Sequence, residues 1–238
     1  MPLSDHRAAL APLGHLRVAI NLGNPVLAQG DARSPRGPSV ELAKTLAQQL
    51  GVQARFTCHD AAASVVAAAV EDGWDLAFLA VDPARADRIV FSAPYVEIEG
   101  TCLVREASAA RTVADLDRVD VRIAVGRGAA YDLYLSRELK LARIERAETS
   151  AAAIELFDQQ QLDAAAGVRQ PLLAWAQAHP GHRVLADRFT AIQQAVAAPA
   201  ARPADALQAL FAEVEAIKQG PLLGEAFARA GQAVTLVR

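Results

Sequence analysis

Residues 74–95, WDLAFLAVDPARADRIVFSAPY, decide the fold of this chain. The apolar run at 76–81 has the length and character of a parallel strand that is covered on both faces. It stops at Asp82-Pro83, where an Asp suited to capping precedes a Pro suited to the first helical position, so a short helix is predicted. Arg85 falls in the first turn of that helix, where the helix end favours an anion. A second short strand is predicted over 89–91.

Strand and helix signals alternate along almost the whole chain, which predicts an α/β fold with mainly parallel sheets built from right-handed crossovers. The other predicted strands lie at 16–21, 52–56, 121–125 and 164–168, with extended crossings at 101–105 and 191–198. Helices are predicted over 40–50 (N-cap Ser39, stop Gly51), 61–70 (cap Asp60), 130–139, 171–178 and 203–218, and after Ser150 and Pro221. A chain of 238 residues can form one large domain or two small lobes.

Two regions resemble the family 3 solute-binding proteins, the amino-acid receptors of ABC transporters. The first is LRVAINLGNP at 16–25 with PRGPSVELAKTLAQQLGV at 35–52, and the second is DPAR at 82–85 with FSAPY at 91–95. In that family a strand leads to T-x-E-R and then to F-S-x-P-Y, and Arg85 stands at the position of the family's Arg. The loop before it is about two residues shorter here, with Ala80 and Asp82 where Gly and Thr are usual.

The resemblance implies a two-lobed, type II periplasmic-binding-protein-like fold, in which each lobe is a mainly parallel sheet flanked by helices. The first part of lobe one would be 1–103 and lobe two 104–192. The segment 193–238 would return to pack its helices on lobe one. It also implies a monomeric receptor that closes by hinge rotation and serves an ABC permease. The family is periplasmic, but the first residues lack the pattern of a signal peptide, so a cytoplasmic location is also open.

In the first half of the chain, the resemblance implies that Arg85 binds the ligand's carboxylate. A planar guanidinium suits this role, because it forms two parallel hydrogen bonds with a carboxylate. Arg85 is expected to line a cleft, so that removing it changes the stability of the unliganded protein by less than about 1 kcal/mol. Asp82 either caps the helix or meets a ligand ammonium. Ala80, Asn21 and Asn24 are the other candidate contacts, although the two asparagines fit a simple turn equally well.

In the second half, two places are candidates for ligand binding. The small-residue turn at 126–130 either presents N–H groups to an anion or is a tight strand-to-helix turn. Its candidate residues are Arg127, Gly128, Ala129 and Ala130. The strand 164–168 ends at Val168, where amino-acid receptors commonly place an Asp for the α-ammonium. Either the amine is bound elsewhere, or the ligand has none and Arg169 faces a second anionic group.

Composition excludes several function classes. A net charge of −3 gives no support to nucleic-acid binding. No run approaches the roughly 18 apolar residues of a transmembrane helix. Cys58 and Cys102 are too few for a disulfide framework and show no metal-ligand spacing.

The remaining polar groups predict no catalytic or metal centre. His179 and His182 are interpreted as loop residues without metal partners. Glu97 and Glu99 follow the F-S-x-P-Y segment near the expected hinge, where a glutamate is more often structural than a general acid. No nucleophile elbow, P-loop or HExxH pattern is present, and no cofactor is expected.

Two alternatives from other classes stay open. Cyclohexadienyl dehydratases resemble this family and act on carboxylates, but they need an acid that Val168 and Arg169 do not supply. Ligand-sensing domains of LysR-type regulators share the lobe architecture, and a sensor of that kind would need a separate DNA-binding partner chain.

Overall fold

The computed structural model describes residues 2–238, and the chain divides into two compact units. Unit one comprises 1–97 and 193–238, and unit two comprises 98–192. Both are built from strands and helices in alternation, as the sequence predicts. Two long strands, β7 (Val96–Arg105) and β12 (Thr190–Pro199), carry the chain from one unit into the other.

The further strands of unit one are β1 (His15–Asn21), β2 (Gln29–Gly30), β3 (Pro35–Arg36), β4 (Gln53–His59), β5 (Leu76–Ala80), β6 (Ile89–Phe91) and β13 (Thr235–Leu236). The sheet order in this unit is β4–β1–β5–β12, with β6 beside β12. Its helices are α1 (Arg7–Leu10), α2 (Pro38–Leu50), α3 (Ala62–Val70), α7 (Ala204–Lys218) and α8 (Leu222–Arg229). Strand β1 is parallel to β4 and β5, whereas β12 is antiparallel to β5. The carboxyl ends of β1 and β5 therefore lie at one edge of the sheet.

The further strands of unit two are β8 (Arg122–Gly126), β9 (Arg143–Ala147), β10 (Ala164–Val168) and β11 (His182–Val184). The sheet order in this unit is β7–β10–β8–β9, with β11 beside β7. Its helices are α4 (Ala130–Glu138), α5 (Ser150–Gln159) and α6 (Arg169–Ala178). Strands β8, β9 and β10 are parallel to one another, and β10 is antiparallel to β7. Short 3-10 helices lie at Leu3–His6, Pro83–Arg85 and Val113–Leu116.

Each unit has its own apolar core. In unit one, Val65 of α3 and Trp74 pack against strand residues Ala19, Ala77 and Leu79. In unit two, residues of α5 pack on the strands together with Leu172 of α6, and this core comprises Leu103, Ala124, Ala153, Ile154, Phe157, Leu162, Ala165 and Leu172. The helices pack one side on the sheets, whereas the central strands β5 and β10 are buried on both faces, which is why these strands are continuous apolar runs.

Three predicted helix caps are wrong. Helix α2 begins at Pro38 after Gly37, whose positive φ of 108° suits glycine, so Ser39 lies inside the helix. Helix α3 begins after Ala61 without a side-chain cap, so Asp60 does not cap it. Thr149, one residue before Ser150, caps α5 by accepting a hydrogen bond from Ala152 N at 3.1 Å.

Candidate ligand-binding site

The carboxyl end of β5 positions the first group of candidate residues. All five residues of β5 are buried, and the chain leaves the strand into Asp82-Pro83. Asp82 Oδ1 accepts a hydrogen bond from Ala84 N at 2.9 Å, so Asp82 caps the 3-10 helix Pro83–Arg85. The cap predicted from the sequence is confirmed, and Asp82 is only 6% exposed.

Arg85 is a buried cation at this edge of the sheet. It is 4% exposed, and its Nη1 donates to Ala80 O at 2.8 Å. Loss of solvation lowers the pKa of Arg85 to about 10, although the nearby charge of Asp82 acts in the opposite direction. Because the side chain is buried, the small effect on stability expected from the sequence is revised upward.

The loop after β1 contains the two candidate asparagines. Asn21 Oδ1 accepts a hydrogen bond from Gly23 N at 3.0 Å, as expected if Asn21 is a turn residue. Asn24 differs, since its Oδ1 is buried and has no hydrogen-bond partner among residues 2–238. Its backbone oxygen accepts from Leu27 N and Ala28 N at 3.0 and 3.1 Å, so the loop itself is ordered by main-chain bonds.

The turn at 126–130 in unit two has internal partners for its N–H groups. Arg127 N donates to Ala147 O at 2.8 Å, and Ala129 N donates to Gly126 O at 3.1 Å. Gly128 N donates to Asp132 Oδ2 at 2.8 Å. The predicted N–H groups of Arg127, Gly128 and Ala129 are therefore already bonded within unit two. The amide of Ala130, the first residue of α4, remains a candidate from this set. The side chain of Arg127 also remains one, since it is 54% exposed and its Nε lies 3.4 Å from Glu148.

Asp132 is the residue that sequence reasoning missed. Its side chain is 5% exposed. Its two carboxylate oxygens accept hydrogen bonds from Arg146 Nε at 3.0 and 3.2 Å, and Oδ1 also accepts one from Ser136 Oγ at 3.2 Å. It stands at the third position of α4, where an acid that reaches back to the N–H groups before a helix is common. The position of Asp132 in the first turn of α4 was the sequence signal that could have identified it. Asp132 is an anion of unit two that bonds to the turn from within the unit.

Arg169 also has internal partners. Its Nη1 donates to Leu185 O at 2.9 Å, and its Nη2 donates to Ala186 O and Asp187 O at 3.0 and 3.1 Å. Its Nε pairs with Glu99. Because these bonds engage every nitrogen of the guanidinium, the interpretation that Arg169 faces a second anionic ligand group is not retained.

Glu99 and Val168 complete this region of unit two. Arg188 Nη1 lies 3.7 Å from Glu99, so this carboxylate stands between two arginines, in the structural role predicted for it. Val168 is the last residue of β10 and pairs with Gly100 of β7, and its side chain offers no polar group to a ligand.

The histidines and cysteines form no metal centre in the part of the chain that the structure describes. His179 stacks on Trp175 with ring centroids 3.9 Å apart, and His182 lies in β11 with its ring edge on the same Trp. Cys58 and Cys102 are both free thiols, and burial raises the pKa of each. Every helix within residues 2–238 is too short or too polar to cross a bilayer.

Comparison with known families identifies this arrangement. A profile of the bacterial extracellular solute-binding proteins, family 3, matches residues 16–222. The match includes all but the first residue of β1, the Asp82–Arg85 segment and the whole of unit two. The chain belongs to this family. The comparison of this family 3 protein with curated proteins returned no match.

Solved structures of family 3 type share its fold. The solute receptor for L-cysteine of Neisseria gonorrhoeae has a TM-score of 0.80 at 22% identity, covering 97% of this chain and 93% of the receptor. The cysteine-binding protein of Campylobacter jejuni has a TM-score of 0.79 at 17% identity, with full coverage of both chains. An ancestral amino acid-binding protein, a precursor of cyclohexadienyl dehydratase, has a TM-score of 0.77 at 22% identity, covering 96% and 99%. These similarities establish the two-lobed α/β fold of the family 3 protein.

Proposed function

We propose that this family 3 protein is a receptor for a small carboxylate, an amino acid or a close analogue, and that it binds its ligand without chemical turnover. The observation that carries the proposal is Arg85, a guanidinium 4% exposed at the carboxyl end of β5. Ligands of open parallel sheets bind at this end of the strands. The similar cysteine-binding structures support an amino acid as the ligand class.

The physical reason is the unfavourable solvation of Arg85. Burial lowers the pKa of its side chain to about 10, although the charge of Asp82 acts in the opposite direction, so the guanidinium has lost hydration on folding. A carboxylate placed on the guanidinium fork supplies two charged hydrogen bonds and restores much of that loss. A neutral ligand of the same size cannot form these charged hydrogen bonds, so the site should select anionic ligands over neutral ones.

The proposal extends to transport and to conformational change. We propose that ligand binding shifts the chain toward a hinge-closed state and that the loaded monomer delivers its ligand to an ABC permease from the periplasm. Asp82 and the amide of Ala130 are the further ligand contacts we propose. The lobe boundaries at 103 and 192 stay a prediction.

The dehydratase alternative has support from the ancestral precursor protein of similar fold. It requires a carboxylic acid that can give a proton to the leaving group. In unit two, the carboxylate of Glu99 is held between Arg169 and Arg188, so both of its oxygens are engaged in ion pairs within the unit. Incubation with prephenate, followed by detection of an aromatic product, tests this alternative directly.

A thermal-shift screen tests the receptor function. At about 100 times Kd a ligand adds roughly 2.7 kcal/mol to the stability of the folded protein. For a chain of this size we expect the midpoint to rise by about 5–10 °C with a subset of amino acids, dicarboxylates or keto acids. If every one of these carboxylates leaves the midpoint unmoved at millimolar concentration, the proposed function is wrong.

A further inference from the structure

The side chain of Asn24 is an acceptor without a donor. Its Oδ1 is buried, and no group among residues 2–238 donates to it. A buried carbonyl oxygen without a donor destabilises a folded protein, and such groups are rare in native structures. An orphaned acceptor of this kind is explained when a ligand supplies the missing N–H or O–H.

The main chain around Asn24 is held by hydrogen bonds and by a close approach of two chain segments. Asn24 O receives two main-chain bonds, from Leu27 N at 3.0 Å and Ala28 N at 3.1 Å. A Cβ added at Gly23 would stand 2.2 Å from Asp60 O, so glycine is required there to let the two chain segments approach. The main chain is therefore held on both sides of Asn24, and its Oδ1 lies buried beside this ordered loop.

Asn24 and Arg85 follow neighbouring parallel strands. Strand β1 is paired with β5 in the register Val18 to Leu76, and Asn24 follows the end of β1 as Arg85 follows the end of β5. Both residues are thus at the carboxyl edge of the sheet of unit one. This edge offers a cationic donor in Arg85, an anion in Asp82 and a neutral acceptor in Asn24.

We infer that Asn24 accepts a hydrogen bond from the ligand's amino group and that unit one therefore selects amino acids over carboxylates without an amine. The inference rests on the proposed function, because it concerns the same ligand. It also explains how an amine can be bound although β10 ends at Val168, which has no acceptor in its side chain. Asn24 is a specificity-determining residue in this assignment.

The test compares wild type with Asn24→Leu and Asn24→Asp by isothermal titration. The probes are L-cysteine, L-arginine, L-lysine and L-glutamine, each paired with its des-amino carboxylate. For the amino acid that binds wild type most tightly, Asn24→Leu should weaken binding by about tenfold. The des-amino partner should lose less than about twofold. Asn24→Asp keeps an acceptor and should retain the preference for the amine.

Melting of the unliganded variants provides a readout that a purely structural role would not reproduce. Asn24→Leu removes the orphaned oxygen, so its midpoint should not fall below that of wild type. If Asn24→Leu fails to fold, the comparison of amine and des-amino ligands in Asn24→Asp decides instead, and loss of the preference there overturns the inference.

The outcomes separate the two proposals. If no amino acid among the probes binds wild type, the inference is overturned, whereas the proposed function is decided by the wider thermal-shift screen of carboxylates. If an amino acid binds wild type and Asn24→Leu equally well, or if both members of a pair are weakened equally, only the assignment of Asn24 is overturned.

Discussion

The carboxyl edges of the sheets in unit one and unit two both carry polar groups, but the hydrogen bonding of these groups differs between the two units. In unit two, the turn before α4 and the guanidinium of Arg169 are bonded to residues of the same unit. In unit one, Arg85 is a desolvated cation and Asn24 Oδ1 lacks a donor. Polar groups that are bonded within their own unit hold a scaffold, whereas a buried acceptor without a donor, such as Asn24 Oδ1, is available to a ligand. We therefore assign the chemical selectivity of the receptor to unit one.

The strongest test of this contrast is Arg85→Ala. Charged hydrogen bonds are worth about 1.5–3 kcal/mol, so affinity for a carboxylate should fall by about 10–100-fold or more. Arg85→Lys should recover little, because one ammonium cannot replace the two-pronged contact. The unliganded protein should lose about 1–3 kcal/mol of stability, because Ala80 O loses its donor.

Isothermal titration and unliganded melting measure the two effects of Arg85→Ala separately. Arg111→Ala is the matched control, since this arginine of unit two is exposed and is not a candidate ligand contact. Unchanged affinity in a folded Arg85→Ala protein would mean that the motif persists only as a scaffold.

The scaffold role of unit two is tested by Asp132→Ala. Gly128 N and Arg146 both lose an acceptor that is 5% exposed, so unfolding should become easier by about 1–3 kcal/mol. Denaturant unfolding measures the change, with Asp120→Ala, an exposed acid of the same unit, expected within about 0.5 kcal/mol of wild type. A midpoint as high as that of wild type would show that the turn does not depend on Asp132.

Asp82→Asn sharpens the assignment within unit one. The amide keeps an oxygen for Ala84 N, so the helix cap is retained while the charge is lost. If Asp82 contacts the ligand's ammonium, the affinity gap between an amino acid and its des-amino analogue should shrink by up to about tenfold. A gap that is the same in wild type and Asp82→Asn removes Asp82 from the site and leaves Asn24 as the amine's partner.

The smallest expected effect is that of pH on carboxylate binding. Burial lowers the pKa of Arg85 to about 10, so the guanidinium stays protonated at about pH 6 to 9 and loses its proton only above that range. Affinity should be nearly constant at about pH 6 to 9 and should decline as the pH rises through about 10. Titrations at these pH values check this, and a marked loss of affinity near pH 7 would assign the carboxylate to a different group.

The sequence predicted the elements whose signals are local. Strands β6 and β10 have the predicted bounds, and the cap at Asp82 was identified from the Asp-Pro pair. Strand β9 was missed because its sequence RIERA is mostly charged and has no strong apolar alternation. The candidate site was harder to predict, since Arg169 reaches carbonyls 16 to 18 residues away. Such partners depend on tertiary packing, which no local pattern encodes.

The position of β12 has a consequence for the order in which the protein is made. Residues 98–192 of unit two are contiguous, so the ribosome synthesises that unit as one uninterrupted segment. The sheet of unit one is completed later, because the antiparallel neighbour of β5 is available only when residues 194–197 emerge. Until then the strand that leads to Arg85 has an exposed edge, which is a template for pairing with other chains. The strand that leads to Arg85, the proposed ligand-binding residue, is thus also the one most in need of protection during synthesis.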